Sequence, residues 1–265
     1  MIRVCVAGAT GWTGSEIVKA VLGSPEFQLT GAIARKTAGR DVGTILGGEV
    51  AGVTIAATLA EALAAPADVL IDYTGPQSVK ERILEALERG VRVVVGTSGL
   101  TESDYEELER VAKARHLGVV AAGNFSVTAA LAKRFALFAA QYVPSWEIID
   151  YADAGKIDAP SGTTRELAEA LAAVAPPQTA VPIEQTHGMR EARGATVGAT
   201  QVHSLRLPGY VISFETIFGL PDERLSIRHD AGAGARPYVS GTLLAVKKVM
   251  DVTGLVRGLD HLLFD

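Results

Sequence analysis

Residues 2–7 form a short, mainly apolar run, Ile-Arg-Val-Cys-Val-Ala, and a glycine-rich stretch then leads into a segment in which Ile17, Val18, Val21 and Leu22 share one face. The run suits a strand buried on both faces, and the 3.6-residue period after it suits an amphipathic helix. The alternation continues. Further apolar strand patterns lie at 28–34, 68–73, 91–95 and 117–122, and helical patterns at 78–88, where Val79, Ile83, Leu84 and Leu87 align, and at 102–114. Strands alternating with helices predict an α/β, Rossmann-type doubly wound parallel sheet with helices on both faces.

Near Ser126 the rhythm changes. One helical stretch, 126–140, precedes strand patterns at 146–152, 196–207, 210–218 and 224–229. Several of these alternate in polarity, as in Arg224-Leu225-Ser226-Ile227-Arg228, which predicts a mixed sheet with one buried face and hence a second, α+β domain. Pro176-Pro177 and the Gly/Arg-rich residues 188–194 read as loops, and 237–250 as a last helix packing back on the first domain.

The segment after the first strand reads Gly8-Ala9-Thr10-Gly11-Trp12-Thr13-Gly14. Strand, glycine turn and helix form the context of a dinucleotide-binding turn: Gly8 for the turn, Gly11 for close approach of a pyrophosphate, Gly14 for helix–strand packing. The second strand ends at Arg35 and Lys36, where an acidic residue would bind a ribose 2′-hydroxyl. Two cations there favour a 2′-phosphate, so NADPH is expected, with NADH possible; a solvated charged loop would carry the same residues. Thr74-Gly75-Pro76, Gly96-Thr97-Ser98-Gly99 and Gly123-Asn124-Phe125 fall at the carboxyl ends of strands, where such sheets bind ligands, though glycine-rich connections also serve any α/β fold.

Lys156-Ile157-Asp158-Ala159-Pro160-Ser161-Gly162-Thr163-Thr164 sets a cation before a Ser-Gly-Thr turn that opens a helical pattern. Charge, hydroxyls and the N–H groups of a helix N-terminus together suit a small anion. An ordinary helix cap beside a surface lysine would look the same.

The chain has 265 residues, a net charge of −5 and one cysteine. That balance argues against a general nucleic-acid binder, and Cys5 inside the first strand is expected to pack rather than react. No zinc-type Cys/His cluster, signal peptide or membrane-spanning apolar run is evident, so a soluble cytoplasmic protein without a metal site is expected.

Together these segments resemble the 4-hydroxy-tetrahydrodipicolinate reductase (dihydrodipicolinate reductase) family of bacterial lysine and diaminopimelate biosynthesis. The resemblance rests on the Gly8/Gly11/Gly14 turn, Ile71-Asp72-Tyr73-Thr74, Gly96-Thr97-Ser98-Gly99, Asn124-Phe125-Ser126, the segment from Lys156 to Thr163, His203-Ser204-Leu205-Arg206-Leu207-Pro208-Gly209 and Arg228-His229-Asp230. It implies an NAD(P)H-dependent reductase with a split dinucleotide-binding domain, 1–125 plus 236–265, and a substrate-binding and oligomerisation domain, 126–235, forming a homotetramer through its sheets. By position, Gly8, Ala9, Thr10, Gly11, Trp12, Thr13, Arg35, Lys36, Gly96, Thr97, Ser98, Ala122, Gly123, Asn124 and Phe125 would line the cofactor site. Lys156, Ser161, Gly162 and Thr163 would bind a dicarboxylate substrate, with Lys156 also a proton donor.

One departure stands out. The family places two histidines before the lysine, as acid/base and substrate ligand; the matching positions here are Ala152 and Asp153. Ala152 cannot move a proton, whereas a desolvated, protonated Asp153 could replace the missing acid. As an ionised carboxylate, Asp153 would repel a dianionic substrate in a low-dielectric pocket. Three readings follow: the lysine-pathway reductase with a rearranged acid, a paralogue acting on another imine or unsaturated carboxylate, and a non-catalytic NADPH-binding sensor. Of the five histidines, His116, His187, His203, His229 and His261, only His203 belongs to a matched His-Ser-Leu-Arg segment.

Overall fold

The computed structural model describes residues 1–264. It divides into two compact units, residues 1–127 with the stretch from Ala235 onward, and residues 128–234. In the first unit the chain runs through β1 (Ile2–Ala7), α1 (Trp12–Leu22), β2 (Phe27–Ile33), α2 (Val42–Ile45), β3 (Ile55–Ala56), α3 (Leu59–Ala62), β4 (Val69–Asp72), α4 (Val79–Glu88), β5 (Arg92–Val95), α5 (Glu102–Ala114) and β6 (Gly118–Ala121). The second unit holds α6 (Val127–Ala139, all but its first residue), β7 (Ser145–Ala152), α7 (Gly162–Val174), β8 (Ala195–Val197), β9 (Thr200–Arg206), β10 (Ile212–Leu220) and β11 (Glu223–Ala231). The chain then returns to the first unit as α8 (Pro237–Lys248), β12 (Gly254–Arg257) and α9 (Leu259–Phe264).

The first unit is built on a parallel sheet in the order β12-β6-β5-β4-β1-β2-β3. Every residue of β4 and β6 is buried, which is why these strands read as apolar runs rather than alternating ones. Ile83 and Leu87 of α4 and Leu108 and Ala112 of α5 close over Leu70, Val93, Val95 and Val119 in one core cluster. The helix α5 begins where Thr101 and Asp104 cap each other's backbone N–H groups, a device that contributes on the order of 1 kcal/mol. Strand order reverses between β1 and β4, the place where open parallel sheets leave a crevice at their carboxyl ends.

In the second unit the order is β11-β10-β7-β9-β8, with β7 and β9 parallel and the other pairs antiparallel. One sheet face, carrying Trp146, Ile148, Val202, Phe214 and Phe218, packs against Ala132 and Ala136 of α6 and Leu167 and Leu171 of α7. The register puts Glu147, Ile149, Ile217 and His203 on the other face.

Several boundaries differ from the sequence pattern. The single strand read at 196–207 is a hairpin, β8 and β9, because Gly198 turns the chain at a φ of 62°. The strand read at 210–218 starts at Ile212 and runs to Leu220, and the helix read at 237–250 ends at Lys248 in a short 3₁₀ turn, Val249–Asp251. Neither β3 nor β12 is visible as a pattern, since β3 has two residues and β12 only two apolar ones, Leu255 and Val256, between Gly254 and Arg257.

Candidate functional site

At the carboxyl end of β1 the backbone turns through Gly8 at a φ of 81°, and Gly11 N–H closes the turn onto the Gly8 carbonyl at 2.8 Å. The Gly8 N–H and Ala9 N–H both donate to the Ile33 carbonyl of β2, at 3.0 and 3.1 Å. A Cβ at Gly8 would collide with the Tyr73 carbonyl, and one at Gly14 with the Gly8 carbonyl, so both glycines are required by backbone–backbone approach. Gly11 caps α1 without any side-chain acceptor, so the first N–H groups of that helix remain available to an anion.

A groove of about 1040 Å³ opens at this turn. Gly8, Thr10, Gly11, Arg35 and Lys36 line it together with Tyr73, Thr74, Gly75, Ser78 and Arg82. Both Arg35 and Lys36 are exposed, in a 3₁₀ turn directly after β2. The remaining residues expected at a cofactor stand outside the groove's lining. Ala9 is buried, so only its backbone can contribute. Trp12 is exposed and meets Tyr238 edge-on at 5.8 Å, with Thr13 beside it in the first turn of α1. Gly96, Thr97 and Ser98 follow β5, and Ala122, Gly123, Asn124 and Phe125 follow β6. Gly96 N–H donates to the Asp72 carbonyl at 3.0 Å, and Ala122 N–H to the Val95 carbonyl at 3.2 Å. The Asn124 side chain accepts from Ser126 N–H at 2.8 Å. Gly96 leaves room for the ring of Tyr73, which meets Phe125 edge-on at 6.1 Å, while its hydroxyl lies 2.7 Å from Thr242 in α8. Burial pushes the Tyr73 phenol well above its ordinary range, so it stays neutral.

A second constellation lies in the other unit, at the end of β7. Asp150 is fully buried, and its carboxylate accepts from Ser161 N–H at 2.9 Å, Ser161 Oγ at 2.6 Å, Thr164 Oγ1 at 2.8 Å, Ser204 Oγ at 3.2 Å and Arg206 Nη2 at 2.7 Å. Burial alone would raise its pKa, but the donors from Ser161, Arg206 and Thr164 prevail and hold the carboxyl below the usual range. Arg206 Nη2 also donates to the Asp158 carbonyl at 2.6 Å. The chain is thereby held at Asp158 and at Ser161, with a cis Ala159–Pro160 bond between them.

On this turn Lys156 Nζ pairs with Asp158 Oδ1 at 2.7 Å and holds that carboxyl below its ordinary range. Ser161 caps α7, and the N–H groups of Gly162 and Thr163 precede the first intrahelical bond, which runs from Arg165 N–H to the Ser161 carbonyl at 2.9 Å. A Cβ at Gly162 would meet nothing within 4 Å. Lys156 lies on the turn that leads into α7, whose N-terminal N–H groups at Gly162 and Thr163 follow Ser161, while the N–H and Oγ of Ser161 itself are given to Asp150. Ala152 is buried. Asp153 is exposed, and its carboxylate accepts from Gly155 N–H at 2.9 Å.

His203 does not join this turn: its Nε2 lies 2.6 Å from Glu147 Oε2, and Arg193 holds the same carboxylate. His229 stacks on Phe214 and meets Thr128 Oγ1 at 3.1 Å. Among the described residues no His/Cys/Asp/Glu group is placed to hold a metal, and no helix is long and apolar enough to cross a membrane.

Residues 2–125 match the model of the dihydrodipicolinate reductase N-terminus and residues 124–263 that of its C-terminus. The chain belongs to the dihydrodipicolinate reductase family. A 4-hydroxy-tetrahydrodipicolinate reductase of Moorella thermoacetica is 41% identical over 264 residues, 99% of this chain and 98% of that protein. One of Geobacillus kaustophilus is 39% identical over 263 residues, 99% of each chain. Among solved structures, the dipicolinate-bound dihydrodipicolinate reductase of Paenisporosarcina sp. TG-14 superposes with a TM-score of 0.86 at 31% identity, over 98% of this chain and 99% of that one. An amine dehydrogenase of Mycobacterium smegmatis, at 17% identity and a TM-score of 0.66, shares the fold. As a dihydrodipicolinate reductase family member with a Rossmann-type domain, the chain is a nicotinamide-dependent oxidoreductase. Sequence reading missed Asp150 and Arg206, the pair that builds the turn. The signals were a carboxylate inside an otherwise apolar strand, Ile148-Ile149-Asp150-Tyr151, and the place of Arg206 in the matched segment from His203 to Gly209.

Proposed function

We propose that this chain reduces 4-hydroxy-tetrahydrodipicolinate, or the cyclic imine formed from it, with NADPH. The carrying observation is the Asp150–Arg206 pair, which ties down the turn between Lys156 and the N–H groups of Gly162 and Thr163, the anion-binding elements, with Ser161 anchoring that turn to Asp150. A buried carboxylate with that many partners rigidifies the turn, and a rigid donor set suits the fixed spacing of a small dicarboxylate.

The turn of Gly8 to Thr13 and the groove beside it fit a nicotinamide cofactor: backbone approaches that exclude a Cβ, open helix N–H groups and two exposed cations. Arg35 and Lys36 support NADPH over NADH, because a 2′-phosphate carries charge that a 2′-hydroxyl lacks. When bound, that cofactor supplies the hydride. Lys156 neutralises a substrate carboxylate and is the proton donor we assign. Asp153, tied to Gly155 in solvent, and the buried Ala152 supply no such proton.

The same reading extends to assembly as a homotetramer. The sheet face opposite α6 and α7 carries Ile149 and Ile217 beside Glu147 and His203, an apolar and charged mixture suited to another copy of the same face. Light scattering reads the assembly directly.

The activity is tested by NADPH oxidation with freshly generated 4-hydroxy-tetrahydrodipicolinate across a range of pH. Turnover within the ordinary enzyme range of about 1–1000 per second, lost in Lys156→Ala and kept with an unshifted pH profile in Asp153→Asn, is the expected result. NADPH binding without turnover would redirect the substrate assignment to other imines or unsaturated carboxylates.

A further inference from the structure

Asp72 ends β4 directly before the groove-lining residues Tyr73, Thr74 and Gly75, and its side chain is fully buried. Oδ1 is surrounded by three donors: Thr74 N–H at 3.0 Å, Thr74 Oγ1 at 2.7 Å and Thr97 Oγ1 at 2.7 Å. The Thr97 hydroxyl in turn accepts from Thr74 N–H at 2.8 Å. Oδ2 makes no hydrogen bond but lies 3.3 Å from Nε of Arg82, whose other nitrogens donate to the Ser78 carbonyl at 3.0 Å and Ser78 Oγ at 2.8 Å. One carboxylate thus joins the segment after β4, the segment after β5 and the first turns of α4.

Thr74, Gly75, Ser78 and Arg82 are walls of the groove, and the carbonyl of Tyr73 is the surface against which Gly8 packs. A buried charge held by this many donors is costly to place unless all of them are satisfied, so it fixes their relative positions more strictly than apolar packing would. Polar networks of this density are not needed to cover a β4 strand that is already buried between β1 and β5.

We propose that Asp72 is a positioning residue for the cofactor: it acts through Thr74, Thr97 and Arg82 to hold the groove walls at the spacing that binds the dinucleotide. The inference rests on the cofactor reading above and adds a residue that does not itself line the groove. Replacing the carboxylate by an amide leaves one donor facing either Arg82 Nε or the hydroxyls of Thr74 and Thr97, so Asp72→Asn cannot satisfy both sides. In Thr97→Val the shape is kept and the link between the two segments is cut, and in Thr97→Ser the link is restored.

The experiment is NADPH titration of the full-length protein by fluorescence, with steady-state KM for NADPH and kcat and a thermal melt of each variant. Asp72→Asn and Thr97→Val are expected to raise Kd and KM for NADPH about tenfold or more, with kcat at saturation reduced by a smaller factor. Thr97→Ser is expected to recover most of that loss. A purely structural role predicts the opposite split: a lower melting temperature in Thr97→Val with Kd within about twofold of the parent overturns the proposal. Should Asp72→Asn fail to fold, Thr97→Val against Thr97→Ser carries the test alone. If the parent protein binds neither NADPH nor NADH, it is the cofactor reading that falls, and the proposal with it.

Discussion

Arg206 reaches Asp150 Oδ2 at 2.7 Å and the Asp158 carbonyl at 2.6 Å through the same nitrogen, so one guanidinium joins a strand end to the turn that carries Lys156. Lysine, a point charge on a flexible stem, lacks the second nitrogen through which Arg206 also donates to the Leu205 carbonyl at 2.9 Å. In Asp150→Asn the guanidinium keeps its place but loses its anion, and breaking a partly buried pair of this kind costs roughly 3 kcal/mol. Arg206→Lys is expected to lower kcat/KM for the dicarboxylate at least about tenfold while leaving NADPH affinity unchanged. Urea melts and parallel NADPH titrations check both statements.

The low pKa of Asp150 also sets a pH dependence. Its folded value lies below the unfolded carboxylate value of about 3.9, so its stabilisation is fully present above that pH and is lost as the pH falls through the folded value. Acid unfolding of the parent should therefore include a steep component below about pH 4 that Asp150→Asn lacks. Urea unfolding followed from pH 6 to 3 separates the two.

His229 contributes at higher pH. Burial lowers its pKa against a smaller opposing pull from Asp230, so the folded state favours the neutral ring. The corresponding stability is complete above the unfolded value of about 6.5 and declines as the pH falls from there to the folded value. His229→Gln is expected to flatten the change in melting temperature between pH 7 and 5; an unaltered slope would assign that change to other groups.

Gly162 separates ligand space from protein space. An alanine Cβ there meets no protein atom within 4 Å, and alanine within a helix is worth up to about 1 kcal/mol over glycine. Gly162→Ala should melt no lower than the parent yet raise KM for the dicarboxylate severalfold. Unchanged KM would place the substrate away from this turn.

Cys5 is fully buried in β1, and desolvation, with the charge of Asp72 adding to it, pushes its thiol up to about 12. At pH 8 roughly one thiol in ten thousand is ionised. The native protein should resist thiol reagents and react only at the rate at which it unfolds, which a stopped-flow disulfide-exchange assay reads.

How much of this was legible in the sequence depended on burial and length. The strands β1, β4, β5 and β6 showed as apolar runs because both sheet faces are covered, and α5 showed as a helical pattern because it runs for thirteen residues. The hairpin of β8 and β9 did not show, since a lone Gly198 inside a polar alternating stretch reads as strand as easily as turn. Lys156 and the Ser161 cap could be read because they are contiguous. The roles of Asp150, Arg206 and Asp72 could not, although the last two stand in segments that carry the resemblance: the partners by which they join separate segments lie 56, 48 and 25 residues away, and a single carboxylate in an apolar run carries no period.

The approach of Gly14 to the Gly8 carbonyl involves main chain on both sides. Where a side chain obstructs, a second substitution nearby can trim it; where a carbonyl obstructs, no residue choice elsewhere removes the atom. A genetic screen for revertants of Gly14→Ala should accordingly return true reversion at codon 14 and no second-site suppressors, making this one position a one-way gate in the family's mutational history.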